Sequence, residues 1–307
     1  MPESRQTVSE TLAGIAEHRP VLQPILNAFQ PLLEARATLP ETLSPMLEES
    51  GFSLPPWRQE RAQQGVPLMA GASLKGLFPL LEKSAQKLLP LLTKLPGLAE
   101  YADALEKLFH EENAVLKGAD ALLTGHEASL EDMAKDTGIP APVLLFVLET
   151  VLGPVIRTLA AHYDAPWDAR PSSWMQGFCP VCGSFPSIGY LDKRVFDEKN
   201  AFLAGGGGKK HLHCSLCGTE WHFRRGACPS CGKEGSGTME FLRESENANG
   251  ERIDWCTQCK SYCPTIDLRE RDSVPDMDAM ALGMLYMDIV AAQKGLMPLK
   301  PSFWNQF

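Results

Sequence analysis

Four cysteine pairs share one spacing in this 307-residue chain: Cys179/Cys182, Cys214/Cys217, Cys228/Cys231 and Cys256/Cys259. Two intervening residues let both thiolates of a tight turn face one ion, and two such turns complete a tetrahedron. Eight thiolates therefore supply two metal sites of four sulfurs each. Gly183, Gly218 and Gly232 directly follow three of the pairs, and Lys260 follows the fourth. A residue there often needs positive φ so that backbone N–H groups can point at sulfur, and glycine reaches that conformation without Cβ strain. Pro180 and Pro229 pre-shape two of the turns.

Sequential pairing closes loops of 31 residues, between Cys182 and Cys214, and 24 residues, between Cys231 and Cys256. Both lengths suit a ribbon in which a small sheet joins two cysteine knuckles. A cross-braced arrangement would instead join the first pair with the third and the second with the fourth. Four disulfides would need an exported protein, and a thioredoxin-like redox site needs one pair at a helix start, not four. Tetrahedral four-sulfur sites suit zinc or iron by geometry. Zinc would be a structural staple, and a single iron would form a rubredoxin-like centre that passes one electron. Spacing alone leans towards zinc, a common occupant of closed four-cysteine sites.

Other reactive residues read more plainly. Cys263 is left over and is expected to be a small buried hydrophobe, with a reactive thiol as the sharper alternative. His211, His213 and His222 flank the second pair, where the thiolate count is already complete, so they are expected to face a partner or to support the site. Lys193, Arg194, Lys199, Lys209, Lys210, Arg224 and Arg225 make residues 193–225 locally basic. That is a solvated face offsetting the thiolates, or a docking patch for an acidic partner. Gly205 to Gly208 lacks the Gly-Lys-[Ser/Thr] ending of a phosphate loop and reads as a hairpin tip. The sequence contains no convincing Ser-His-Asp set, metalloprotease helix or dinucleotide fingerprint, so a non-enzyme is expected.

The elements that must hold these residues change character along the chain. From Val8 to about Tyr163 the pattern is helical, with Leu77, Leu80, Leu81, Leu88, Leu89, Leu91 and Leu92 at helix-like spacings. Pro79 and Pro90 must start or kink segments there. Prolines between Thr38 and Ser73 predict irregular or short-helix structure. Glu127 to Tyr163 reads as two helices divided at Gly138-Ile139-Pro140, with Ser129 as the first N-cap. The second is apolar on nearly every side, as in a core helix; Glu149 and Pro154 leave it short of a membrane span. All nine cysteines follow, among short strand-like runs such as Ile188–Leu191 and Thr219–Phe223, and a last helix is expected from Pro275 to about Lys294.

The fold class expected is α+β multidomain. A helical domain (residues 1–170) precedes a first four-cysteine ribbon (171–226), a second (227–272), and a C-terminal helix and tail (273–307). The net charge of −9 sits mostly in residues 1–170, with 14 Lys+Arg against 22 Asp+Glu; the rest carries 15 against 16. That balance opposes a nucleic-acid binder, whose affinity comes from neutralising phosphates. No secretory signal precedes the helices, so a cytoplasmic protein is expected.

Residues Gly177 to Ser184, Leu212 to Cys217, Glu220 to His222, Arg225, Cys228 to Gly232, and Cys256 to Cys259 followed by Tyr262 resemble the formate dehydrogenase accessory proteins of the FdhE type. The resemblance is specific over residues 177–262 and extends to the layout of the whole chain. It implies a cytoplasmic maturation factor that binds the catalytic subunit of respiratory formate dehydrogenase before export. It also implies rubredoxin-like sites in which Cys179, Cys182, Cys214, Cys217, Cys228, Cys231, Cys256 and Cys259 hold iron, with zinc as the alternative. Competing readings are an iron protein that delivers electrons and a zinc ribbon that binds nucleic acid.

Overall fold

A computed structural model describes residues 5–163, 165–168, 174–193, 208–244 and 248–305. Arg194, Lys199 and Gly205 to Gly207 of the basic and glycine runs lie outside the described residues. The first helix, α1 (Val8–His18), starts at a capping box: Glu10 N–H donates to the Thr7 hydroxyl, and Thr7 N–H donates to the Glu10 carboxylate. Then come α2 (Gln23–Ser50), α3 (Gln59–Gln63), α4 (Phe78–Leu92), α5 (Ala102–His110), α6 (Glu112–Thr124), α7 (Glu127–Thr137) and α8 (Ala141–Ala160).

The proline-rich stretch after Thr38 departs from its sequence pattern. Helix α2 continues through Pro31, Pro40 and Pro45 to Ser50. Each proline removes one backbone donor, but Leu26, Phe29, Leu32, Leu33, Leu39, Leu43 and Leu47 form a buried stripe that packs against α4 and α8. Burial of that stripe outweighs the missing bonds. Only from Gly51 to Leu77 is the chain short-helical or irregular, as expected of the whole stretch. Pro79 lies in the first turn of α4, where its missing N–H is harmless, while Pro90 is inside the helix. Ser129 is in the first turn of α7, and His126 occupies the N-cap position in its place. Helix α8 is long and apolar enough to cross a membrane, but it is buried through most of its length at the centre of the helical bundle.

The strands are β1 (Ile188–Leu191), β2 (Lys210–His213), β3 (Glu220–Phe223), β4 (Met239–Leu242), β5 (Glu251–Cys256), β6 (Ser261–Asp267) and β7 (Met297–Pro298). They build one sheet in the order β3-β2-β1-β6-β5-β4, with β7 added beside β6. Each cysteine ribbon repeats the same unit: knuckle, strand, strand, knuckle, strand. The units join head to tail, because β1 of the first lies parallel to β6 of the second, with Gly189 opposite Thr265. The remaining contacts within each unit are antiparallel.

Beyond the sheet, the expected final helix is two: α9 (Met277–Gly283) and α10 (Leu285–Gln293). The break at Met284, itself fully buried, lets α9 pack on α1 while α10 returns over β5 and β6. The architecture is α+β, as the sequence predicts. A continuous apolar core runs from the helices into the first ribbon, where Cys179, Cys182, Cys214 and Cys217 are part of it.

Candidate metal centres

The four knuckles have the same local build. In each, the N–H of the residue after the second cysteine donates to the carbonyl of the first: Gly183 to Cys179 at 3.0 Å, Gly218 to Cys214 at 2.8 Å, Gly232 to Cys228 at 3.0 Å, Lys260 to Cys256 at 3.0 Å. All four donors are left-handed, with φ of 80°, 71°, 70° and 62° respectively. Lys260 thus adopts the conformation that the three glycines take freely. Its ammonium lies 5.0 Å from the ring centre of Trp255, a cation–π contact that offsets part of the strain.

The sulfurs cluster in sequential pairs. Cys179 Sγ is 3.4 Å from Cys217 Sγ, and Cys182 Sγ is 3.5 Å from Cys214 Sγ. In the second group Cys228 and Cys259 are 3.6 Å apart, and Cys231 and Cys256 are 3.8 Å apart. Within each group all four sulfurs lie within 4.8 Å of one another. A tetrahedron with metal–sulfur bonds of about 2.3 Å has edges of about 3.8 Å, so both groups are sized for one ion. The separations are too long for disulfides, which need about 2.05 Å.

Neighbouring donors point at the sulfurs. Val181 N–H donates to Cys179 Sγ at 3.4 Å, Cys231 N–H to Cys228 Sγ at 3.5 Å, and Gln258 N–H to Cys256 Sγ at 3.4 Å. Thr219 Oγ1 lies 3.1 Å from Cys217 Sγ, and Ser261 Oγ lies 3.5 Å from Cys259 Sγ. These groups stabilise thiolate charge. In the first cluster burial, above all, pushes the Cys179 and Cys182 thiols well above their ordinary range. A cation at the centre is what would hold four thiolates there.

The two centres differ in their surroundings. Both knuckles of the first are fixed by the helical body. Leu68 N–H donates to Pro180 O at 2.8 Å and Met69 N–H to Val181 O at 2.9 Å. Arg36 of α2 and Arg157 of α8 both donate to Ser215 O, at 2.9 and 3.2 Å. Gly153 of α8 lies against the same knuckle, where an added Cβ would be 2.9 Å from Leu216 O. Arg157 also donates to Asp278 at 2.7 Å, and Asp278 meets His213 Nε2 at 3.1 Å. Burial opposes a charge on His213, but its bonds to Asp278 and Glu220 outweigh that and push its pKa up to about 10. Arg5 completes this chain of charges by pairing with Glu220 at 2.9 Å.

None of the three flanking histidines joins a cysteine cluster among the described residues. His213 belongs to the charge network, and His211 stacks on Tyr190 at 5.1 Å and meets Asp192 at 3.0 Å. His222 sets its ring edge-on to His211. The basic run does not form one solvated face: Lys210 is buried and donates to Asp254 of the second ribbon at 2.7 Å. Cys263 is buried as a small hydrophobe, and burial pushes its thiol up to about 12.

Gly177 has a structural role that its sequence context does not signal. A Cβ there would sit 2.0 Å from Pro229 O, so the segment entering the first knuckle runs directly against the third. Its φ is not left-handed, and no signal in the sequence marks such a close approach.

Fold and sites together define a helical carrier of two tetracysteine ribbons fused through one sheet. A family model described as FdhE, central domain, matches residues 178–225. The chain is 30% identical over 169 residues to a protein named as an FdhE homolog from Aquifex aeolicus, covering 55% of this chain and 54% of that one. A homolog from Pectobacterium carotovorum is 31% identical over 191 residues, covering 62% and 54%. The matches span about half the length of these relatives. The crystal structure of the FdhE protein from Pseudomonas aeruginosa shares the fold, with a TM-score of 0.61 and 23% identity, covering 97% of this chain and 94% of that chain. Over these stretches the chain is similar to FdhE proteins, most specifically across the central-domain match.

Proposed function

We propose that the chain is a cytoplasmic accessory protein for maturation of respiratory formate dehydrogenase, binding that enzyme's catalytic subunit rather than catalysing a reaction itself. The observation that carries the reading is the pair of tetracysteine clusters on one sheet, within a stretch that includes the FdhE central-domain match. In this reading Cys179, Cys182, Cys214 and Cys217 hold one ion, and Cys228, Cys231, Cys256 and Cys259 hold the other. Iron is the preferred occupant on family resemblance, and zinc suits the same sulfur set.

The ribbon end of the molecule is the docking side. There β4 is an edge strand with no sheet partner on its outer side among the described residues, and Phe241 on it is 58% exposed. The test is co-purification of the tagged full chain with the formate dehydrogenase catalytic subunit, which Phe241→Glu is expected to weaken. Absence of association, with normal formate dehydrogenase activity after deletion of the gene, would sink the reading.

Electron delivery is the second reading, favoured by the solvent exposure of Cys231 at the second cluster. Visible absorbance typical of iron–thiolate charge transfer, bleaching on reduction, supports it. Two zinc ions per chain in protein purified anaerobically from native cells excludes it.

A further inference from the structure

We propose that the two centres differ in exchange: the Cys228/Cys231/Cys256/Cys259 site releases and recaptures its ion readily, while the Cys179/Cys182/Cys214/Cys217 site keeps its own. The proposal rests on the eight cysteines holding two ions, as read above, and adds which one moves. The ligand class is a thiophilic divalent ion.

Access is the first argument. All four cysteines of the first cluster are buried, and all four belong to the main apolar core. In the second cluster Cys231 is exposed and Cys259 half-buried, and neither Cys228 nor Cys256 joins that core. Exchange at a tetrathiolate site proceeds as a competing ligand takes the place of one thiolate at a time, each departing sulfur taking up a proton from water. A competitor reaches Cys231 and Cys259 from solvent, but must first open the packed interior to reach the first site.

Restraint is the second argument, and it points the same way. A thiolate departs only if its knuckle can yield. The first knuckle is tied at Pro180 and Val181 by backbone bonds from Leu68 and Met69, and the second at Ser215 by Arg36 and Arg157. Freeing a sulfur of the first cluster therefore strains contacts with α2, α8 and the segment before α4. The second site has looser ties. Residues Ser230 to Gly237, which carry Cys231, are exposed throughout. Its fourth knuckle is tied mainly to its own ribbon, Thr257 N–H donating to Thr238 O at 3.0 Å, and to β7, Met297 N–H donating to Lys260 O at 3.0 Å. Local opening follows such differences in packing and restraint.

The test uses the full chain carrying two zinc ions and the chromogenic chelator 4-(2-pyridylazo)resorcinol as competitor. One equivalent per chain is expected to leave at least tenfold faster than the other. Changing Cys256→Ala and Cys259→Ala together is expected to abolish the fast phase and leave the slow one. Arg36→Met, which leaves the second cluster unaltered, is expected to hasten the slow phase alone, and it serves if the double variant fails to fold. Two equivalents leaving together, or a fast phase that survives the double variant, would overturn the proposal while the two-ion reading stands. A chain that binds no metal at the outset would overturn both.

Discussion

At the scale of single residues, Lys260 shows how far a spacing rule reaches. The sequence indicates that the position after each second cysteine wants positive φ, and all four positions have it, whatever the residue. A β-branched side chain tolerates that region poorly. Lys260→Val is therefore expected to cost about 1–2 kcal/mol, whereas Lys260→Asn stays within about 0.5 kcal/mol of the parent. Urea denaturation followed by tryptophan fluorescence measures both.

Asp288 supplies a second test. Burial pushes its pKa up to about 7, against the opposing effect of the Tyr262 hydroxyl, which donates to it at 2.8 Å. The folded protein holds a proton that the unfolded chain has already lost between about pH 4 and 7, so stability from this group falls as pH rises through that window. Asp288→Asn removes the dependence and retains an acceptor for Tyr262. The variant is expected to gain on the parent by about 4 kcal/mol from pH 4 to pH 8. A gap in melting temperature that does not widen with pH would refute this assignment.

At the scale of elements, the knuckles and short strands were legible because their signals are local. The cysteine spacing gives the turns, and Ile188–Leu191 and most of Thr219–Phe223 are strands as expected. The course of α2 was not, because local proline propensity points one way and the buried leucine stripe the other, and tertiary packing prevails. Lys210 was misplaced for a related reason: its partner Asp254 lies 44 residues away, and the charge run around Lys210 gives no hint of it. Gly177 was silent altogether, since its role is a backbone contact rather than a backbone conformation. Gly177→Ala forces Pro229 and the third knuckle to move. It is expected to destabilise the second ribbon by about 2–3 kcal/mol, within the range for overpacked cores. Amide hydrogen exchange localises the effect: faster exchange in β4 and β5, with α4 and α8 unchanged.

For the molecule as a whole, the sheet is the feature that composition and periodicity conceal. The two cysteine units are repeats in sequence, yet their union depends on the parallel β1–β6 register and the buried Lys210–Asp254 pair. Removing one partner of a buried pair typically costs about 3–5 kcal/mol. Arg252, also bonded to Asp254 at 2.8 Å, retains part of the compensation. Lys210→Met is accordingly expected to cost about 2–3 kcal/mol and to lower the melting temperature of the first ribbon together with that of the second. The centres themselves are coupled unequally to the rest. Cys179→Ala disturbs a cluster that is part of the main core, so helical circular dichroism should melt earlier. Cys256→Ala should leave the helical transition nearly in place.

If eight cysteines make two metal centres, elemental analysis of this chain purified anaerobically counts them. Two equivalents of iron or zinc per chain are expected, falling to one when Cys179 and Cys182 are both changed to alanine, and to one when Cys256 and Cys259 are. No stoichiometric metal in the parent, or two equivalents surviving either double substitution, would contradict the two centres.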